Sequence, residues 1–127
     1  LQAYAKADFK LYQKKNNDAL QSFLALLEKH KGESIEAGTL LKVGEIYEQR
    51  KEYTKALTYY QNILDNHKDG IYIDEALFYS AEIYRKFLLD NEKAKAFYEK
   101  MVLEHPDSLY YTESRKQYRT LRGDSAI

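Results

Sequence analysis

Three histidines, His30, His67 and His105, are the side chains of this sequence best placed to suggest a metal ion. They recur in one column of a repeat, 37 and then 38 residues apart. A shared zinc needs each imidazole nitrogen within about 2.1 Å of the metal. Equivalent positions of stacked helical units lie at least about 10 Å apart, because whole helices intervene. The column therefore reads as three helix C-termini, where a cation is favoured, and no metal site is expected. There are 20 Asp and Glu residues, yet no pair stands out for acid–base work. The Gly-rich phosphate loop, His-Glu-x-x-His and Gly-x-Ser-x-Gly are all absent. Without cysteine there is no disulfide, thiolate zinc site or cysteine nucleophile. No catalytic or cofactor-binding residue is expected, and the chain reads as a non-enzyme that needs no cofactor.

Two other residue sets invite a sharper reading. Thirteen tyrosines could stack bases or sugars. Five of them, Tyr47, Tyr53, Tyr60, Tyr84 and Tyr98, occupy repeat columns where packing accounts for them. Tyr4, Tyr12, Tyr59, Tyr72, Tyr79, Tyr110 and Tyr111 are unassigned, and some of them could line a groove, since rigid, amphipathic Tyr suits interfaces. Arg115, Lys116, Arg119 and Arg122 make a basic stripe near the end of the chain. It could meet nucleic acid or an acidic protein. But 20 Lys and Arg balance 20 Asp and Glu, so no global field favours nucleic acid. A solvated cap is the preferred reading, with an RNA-associated adaptor as a remote alternative.

Helices must position all of these groups. Only five Gly and one Pro interrupt 127 residues, which favours helices with short connections. Ala7, Gly44 and Ala81 align at intervals of 37 and 37. Ala19, Ala56 and Ala94 align at 37 and 38, as do Phe23, Tyr60 and Tyr98. Each unit holds two stretches with apolar residues at helical spacing. These are 4–12 and 18–28, then 35–50 and 54–66, then 76–85 and 92–103, each pair joined by a short polar turn. The small residues mark where paired helices cross closely. The larger Tyr47 with Tyr60, and Tyr84 with Tyr98, are expected to fill the space beside the crossing. Ser34, Thr54, Asp74, Asn91 and Ser108 are candidate N-caps, and Pro106 ends the third unit. A last helical stretch, 109–121, could close the open end with Tyr111, Tyr118 and Leu121. The fold expected is an all-α solenoid: an α-α superhelix of three helical hairpins, with units at about 1–33, 34–70 and 71–108. A capping helix follows at about 109–122. No apolar run approaches the roughly 20 residues that cross a bilayer. The chain begins at Leu1 inside a helical pattern, and is expected to be a fragment of a longer protein.

The column types resemble the tetratricopeptide repeat. That family places a small residue in helix A, Tyr three later, an aromatic in the turn, Ala early in helix B and an aromatic four later. The second unit matches with Gly44, Tyr47, Tyr53, Ala56 and Tyr60, and the third with Ala81, Tyr84, Ala94, Tyr98 and Pro106. The first has Ala7, Ala19 and Phe23, but Lys10 where Tyr belongs. The long unit and the His-Pro-Asp-Ser ending at 105–108 are similar to bacterial cell-envelope members. Among these are the periplasmic coordinator associated with the Tol–Pal system and the lipoprotein of the outer-membrane β-barrel assembly machine. This resemblance implies a protein or peptide partner on the concave face of the A helices and favours the periplasm or cell envelope, with the cytoplasm as the alternative; the balanced charge gives no expectation of nucleic acid. The matching groove positions are Leu41, Glu45, Glu48, Phe78, Glu82 and Arg85. They would suit an amphipathic peptide or helix bearing basic residues, unless Leu41 and Phe78 are buried between repeats. The family's carboxylate-clamp positions hold Leu41 and Glu45, Phe78 and Glu82, and Tyr4 and Asp8, so an acidic tail would meet carboxylates and that role is rejected. A structural segment that self-associates, or packs on another domain, is the alternative function.

Overall fold

The computed structural model describes the backbone of residues 2–123 and the side chains of residues 14–123. Its six helices are α1 (Gln2–Lys29), α2 (Glu36–Gln49), α3 (Tyr53–Asn66), α4 (Ile73–Lys86), α5 (Asn91–Glu104) and α6 (Tyr111–Arg122). Each packs on the next in the chain. The expected all-α, repeat-built superhelix is what forms, with α2/α3 and α4/α5 as its hairpins.

The repeat explains the architecture. α4 begins 37 residues after α2, whereas α5 begins 38 after α3. The extra residue sits in the hairpin turn, which spans 50–52 in one unit and 87–90 in the other. Each turn passes through one left-handed residue, Lys51 (φ 62) and Leu89 (φ 53). Leu89 is also 77% exposed. Within α4, the stripe Ala76, Leu77, Ser80, Ala81 and Ile83 is buried. Asp74 and Glu75 open this helix and Arg85 and Lys86 close it, both matched to its dipole.

The small-residue columns mark close crossings. A Cβ built on Gly44 would lie 2.9 Å from Cδ1 of Tyr60, whose ring is fully buried. Ala81 packs in the same way with Ala94 and Tyr98. The flanking aromatics pair differently from expectation. Tyr47 stacks on Tyr59, with centroids 5.6 Å apart, and Tyr84 on Phe97 at 5.7 Å. Tyr60 and Tyr98 are taken up by the crossing itself, so the preceding helix-B residue meets the A-helix tyrosine.

Three expectations need correction. The stretches 4–12 and 18–28 do not form a hairpin: α1 runs unbroken through both. Residues 2–29 contain neither Gly nor Pro, and residues 14–17 keep their helical backbone instead of supplying a left-handed turn residue. The side chains of Tyr4, Ala7, Asp8, Lys10 and Tyr12 lie outside the described residues. The N-caps also fall elsewhere, at Ile35, Glu52, Tyr72, Asp90 and Tyr110. Only Asp90 caps with its side chain, accepting the Lys93 N–H at 3.1 Å. Backbone turns serve other starts, such as Tyr111 N–H to the Ser108 carbonyl at 3.1 Å. Ser108 Oγ accepts the Tyr110 N–H at 3.1 Å. Finally, Tyr118 and Leu121 pack on the Ala81–Ala94–Tyr98 cluster as expected of a cap, but Tyr111 is not among the residues of that cluster.

Candidate functional site

The helix-A residues singled out from sequence gather around the hydroxyls of two buried tyrosines. Helix geometry brings this about: residues 45 and 48, like 82 and 85, are three apart and share a face. In the second unit Tyr60 Oη donates to Glu48 Oε1 at 2.8 Å. In the third, Tyr98 Oη donates to Glu82 Oε1 at 2.7 Å and accepts from Arg85 Nε at 2.9 Å. Arg85 Nη2 also reaches Glu82 Oε2 at 3.0 Å, and Lys86 Nζ reaches the same oxygen at 2.7 Å.

The units differ at one column. Position 85 of the third unit corresponds to position 48 of the second, so an arginine is exchanged for a glutamate. The third unit thereby neutralises its own carboxylate. The second presents Glu45 and Glu48 together, with only Lys42 reaching Glu45, at 3.6 Å. The titration follows the same contrast. Burial pushes the Glu48 carboxyl above the usual glutamate range, and the charges of Glu45 and Glu82 add to this against the Tyr60 hydrogen bond and Lys86. Burial also pushes Glu82 up, but hydrogen bonds from Lys86, Tyr98 and Arg85 outweigh it and hold its carboxyl below that range. Burial likewise pushes the Tyr60 and Tyr98 hydroxyls far above the usual phenol value, so both stay protonated donors.

An open cleft adjoins Glu45 and Glu48. Gln49, Tyr53, Tyr79 and Phe87 complete its wall. Tyr53 and Phe87 stack at 4.3 Å with an angle of 9°, and Tyr79 leans on Tyr60 at 5.7 Å. The cleft is shallow and carries acid over an aromatic floor.

The six positions expected in the groove divide. Glu45, Glu48, Glu82 and Arg85 come together around the tyrosine hydroxyls. Leu41 is 6% exposed and belongs to the core between repeats. Phe78 is half-buried, stacked on Tyr110 at 4.6 Å with its edge on Tyr98. The free apolar surface comes instead from Tyr53, Tyr79 and Phe87. Tyr79 stood among the unassigned tyrosines, and Phe87 was missed. Its signal was a break in the repeat: the charged turn Arg50-Lys51-Glu52 becomes Phe87-Leu88-Leu89-Asp90 in the third unit.

Two of the three histidines have a structural role, while His30 pairs locally with Glu33. His67 Nε2 lies 2.8 Å from Glu36 Oε1, and His105 Nδ1 lies 3.1 Å from Asp74 Oδ1. Each pair ties the end of a hairpin's second helix to the start of its first. Among the described residues no three His, Asp or Glu side chains could hold a metal ion together. The basic stripe lies on α6, which follows helix-A register. Arg115, Lys116, Arg119 and Arg122 stand in the columns of Leu77, Phe78, Ala81 and Tyr84. In α4 those columns face α5, whereas on α6 all four residues are exposed.

A family model for the tetratricopeptide repeat matches residues 39–70 and 75–108. These segments take in most of the α2/α3 and α4/α5 hairpins and exceed half the chain. No curated protein matches the chain. With two matched units, the small-residue crossings and the 37–38-residue period in one superhelix, the chain belongs to the tetratricopeptide repeat family.

Proposed function

We propose that this protein is a scaffold whose A-helix groove receives a peptide or partner helix, with a basic side chain of that partner entering the cleft at Glu45 and Glu48. Repeats of this family generally mediate protein–protein interaction and are typically non-enzymatic. The observation that carries the finer reading is the exchange of Arg85 for Glu48 between equivalent columns. In the third unit a guanidinium bridges the carboxylate and the tyrosine hydroxyl. In the second, a partner's Arg or Lys would fill that role, over the aromatic wall of Tyr53, Tyr79 and Phe87. Glu82 and Arg85 frame the neighbouring end of the groove. Leu41 and Phe78 belong to the core beneath and beside it. The long repeat and its His-Pro-Asp-Ser ending support a bacterial envelope complex as the setting.

The test is fluorescence anisotropy with short amphipathic peptides that alternate apolar residues with Arg, set against the same peptides carrying Glu. Arg peptides should bind, bind more weakly as salt rises, and lose about tenfold or more with Glu45→Lys/Glu48→Gln, the scale of one charge-assisted contact. Equal binding of both peptide charges, or no loss in the double variant, would remove the cleft from the interface. Leu41 and Phe78 are unsuitable test positions, since truncating them disturbs the core.

A further inference from the structure

One hairpin turn carries apolar side chains that neither its backbone nor the core calls for. The turn between α2 and α3 is Arg50-Lys51-Glu52, and the equivalent one between α4 and α5 is Phe87-Leu88-Leu89-Asp90. Phe87 is 48% exposed, Leu88 41% and Leu89 77%. Leu89 also stands in the left-handed region, at φ 53, where a bulky side chain is strained and glycine is favoured. Lys51 takes the same backbone in the other turn, with a charge that water solvates. The backbone closes the third unit's turn by itself. The Leu88 N–H donates to the Ile83 carbonyl at 3.1 Å, and the Asp90 N–H to that of Tyr84 at 2.9 Å. Three consecutive exposed apolar residues, one of them strained, mark a surface kept for contact.

We infer that this turn extends the Glu45–Glu48 cleft into a two-part docking surface, and that it receives a bulky apolar side chain of the same partner whose basic side chain enters the cleft. The inference rests on the reading of that cleft as a partner site. Continuity joins the two parts. Phe87 is the first residue of the turn and also part of the cleft wall, stacked on Tyr53 at 4.3 Å. Consecutive Cα atoms lie about 3.8 Å apart, so the backbones of Leu88 and Leu89 start within about 8 Å of Phe87. An extended peptide crosses such a distance in about one to three residues. The partner therefore presents its apolar residue about one to three positions from its basic one.

Charge sets this occupant apart from a lipid surface. Neighbouring cations that could hold anionic headgroups are already engaged: Lys86 on Glu82 at 2.7 Å, and Arg50 and Lys55 on Glu52 at 3.0 and 3.3 Å. Glu45 and Glu48 stand with Phe87 in the cleft wall. An anionic membrane would be repelled by these two carboxylates, whereas a basic partner residue matches them. An apolar turn bordered by carboxylates thus fits a partner that is apolar beside basic, with the aromatic Phe87–Tyr53 pair between the two contacts.

The test is fluorescence anisotropy with two labelled peptides of equal charge, one alternating leucine with arginine and the other serine with arginine, on the 1–127 chain and on its Leu89→Gly variant. The leucine–arginine peptide should bind Leu89→Gly about tenfold more weakly, the scale of one buried leucine. The serine–arginine peptide should bind more weakly throughout, and alike to the two proteins. Leu89→Gly should unfold at no lower urea concentration than wild type, because glycine relieves the left-handed backbone, which separates lost binding from lost folding. Leucine–arginine binding that falls with Glu45→Lys/Glu48→Gln but not with Leu89→Gly would overturn this inference and leave the cleft standing. Binding of neither peptide would overturn both. A wild type that pellets with vesicles of phosphatidylcholine and phosphatidylglycerol, and no longer does so as Leu89→Gly, would give the turn to a lipid surface. A wild-type dimer in light scattering that Leu89→Gly dissolves would give it to a second copy. Either result would overturn the inference too.

Discussion

Glu48 and Glu82 each accept a hydrogen bond from a buried tyrosine, yet they should respond oppositely to losing their charge. Glu48 has a folded pKa above its ordinary value of 4.5. The fold therefore disfavours its ionised form. That cost is absent below the unfolded pKa and grows as pH rises through the folded one. In Glu48→Gln the amide oxygen can still accept from Tyr60 while the desolvated charge is gone. The variant should be more stable than wild type at pH 7, by up to about 1 kcal/mol, with the gain fading towards pH 4. Glu82 has a lowered folded pKa. Its contribution is present above the unfolded pKa and lost as pH falls through the folded one. Glu82→Gln should cost about 1–2 kcal/mol at pH 7 and less in acid. Urea unfolding at both pH values reads the pair of signs, and two losses at pH 7 would show that the neighbouring carboxylates do not burden Glu48. Gly44 tests the crossing in turn. A larger side chain there meets the Tyr60 ring, so Gly44→Leu should cost about 1–3 kcal/mol through overpacking. An unchanged melting temperature would show that α2 and α3 can separate at no cost.

Hairpin closure depends on contacts remote in sequence, and the histidine–carboxylate ties are the clearest of them. His67 on the last residue beyond α3 holds Glu36 in the first turn of α2, both side chains mostly shielded. The Gly32 N–H, followed by the His67 hydrogen bond, holds the Glu36 carboxyl below its ordinary value of 4.5. The tie thus contributes above that ordinary value and fades as pH falls through the lower folded pKa. His67→Ala should cost about 1 kcal/mol at pH 7. A double-mutant cycle with Glu36→Gln should return a coupling of similar size that disappears in acid. Zero coupling at pH 7 would reduce the pair to a surface contact. The helices and their period were legible in the sequence because small and aromatic residues recur in fixed columns, and even the one-residue insertion could be placed. The histidine ties were not legible, since each spans 31 residues. Nor was the unbroken α1: the polar run Lys14-Lys15-Asn16-Asn17 suits a turn and a solvated helix equally, and local pattern cannot choose between them. In the cleft, Glu45 and Glu48 are among the groove positions that the family resemblance implies. Phe87 and Tyr79 could not be placed there from the sequence, because a hairpin turn and a neighbouring helix face carry them in.

The first and last described helices are packed differently. The interior faces of the stack bury residues completely, from Tyr60 and Ile63 to Tyr98 and Met101. At the C-terminal end, α6 turns Tyr118 and Leu121 onto the Ala81–Ala94–Tyr98 cluster and presents basic residues outward. At the other end α1 leaves Leu26 exposed and Ala19 and Phe23 half-buried. In a solenoid each unit is stabilised chiefly by its neighbours, so loss of an end element is felt most by the unit beside it. A chain ending at residue 108 would uncover Tyr98 and the ring of Phe78, which now stacks on Tyr110. Losing Tyr118 and Leu121 takes away the apolar contact that covers this cluster, so the α4/α5 unit should become less stable. This should appear as a lower urea midpoint, with earlier hydrogen exchange in α4 and α5 than in α2 and α3. Light scattering should show association through the newly exposed aromatics. If the midpoint and the exchange pattern stay those of the full chain, α6 is an appendage and the stack is closed by α5 alone.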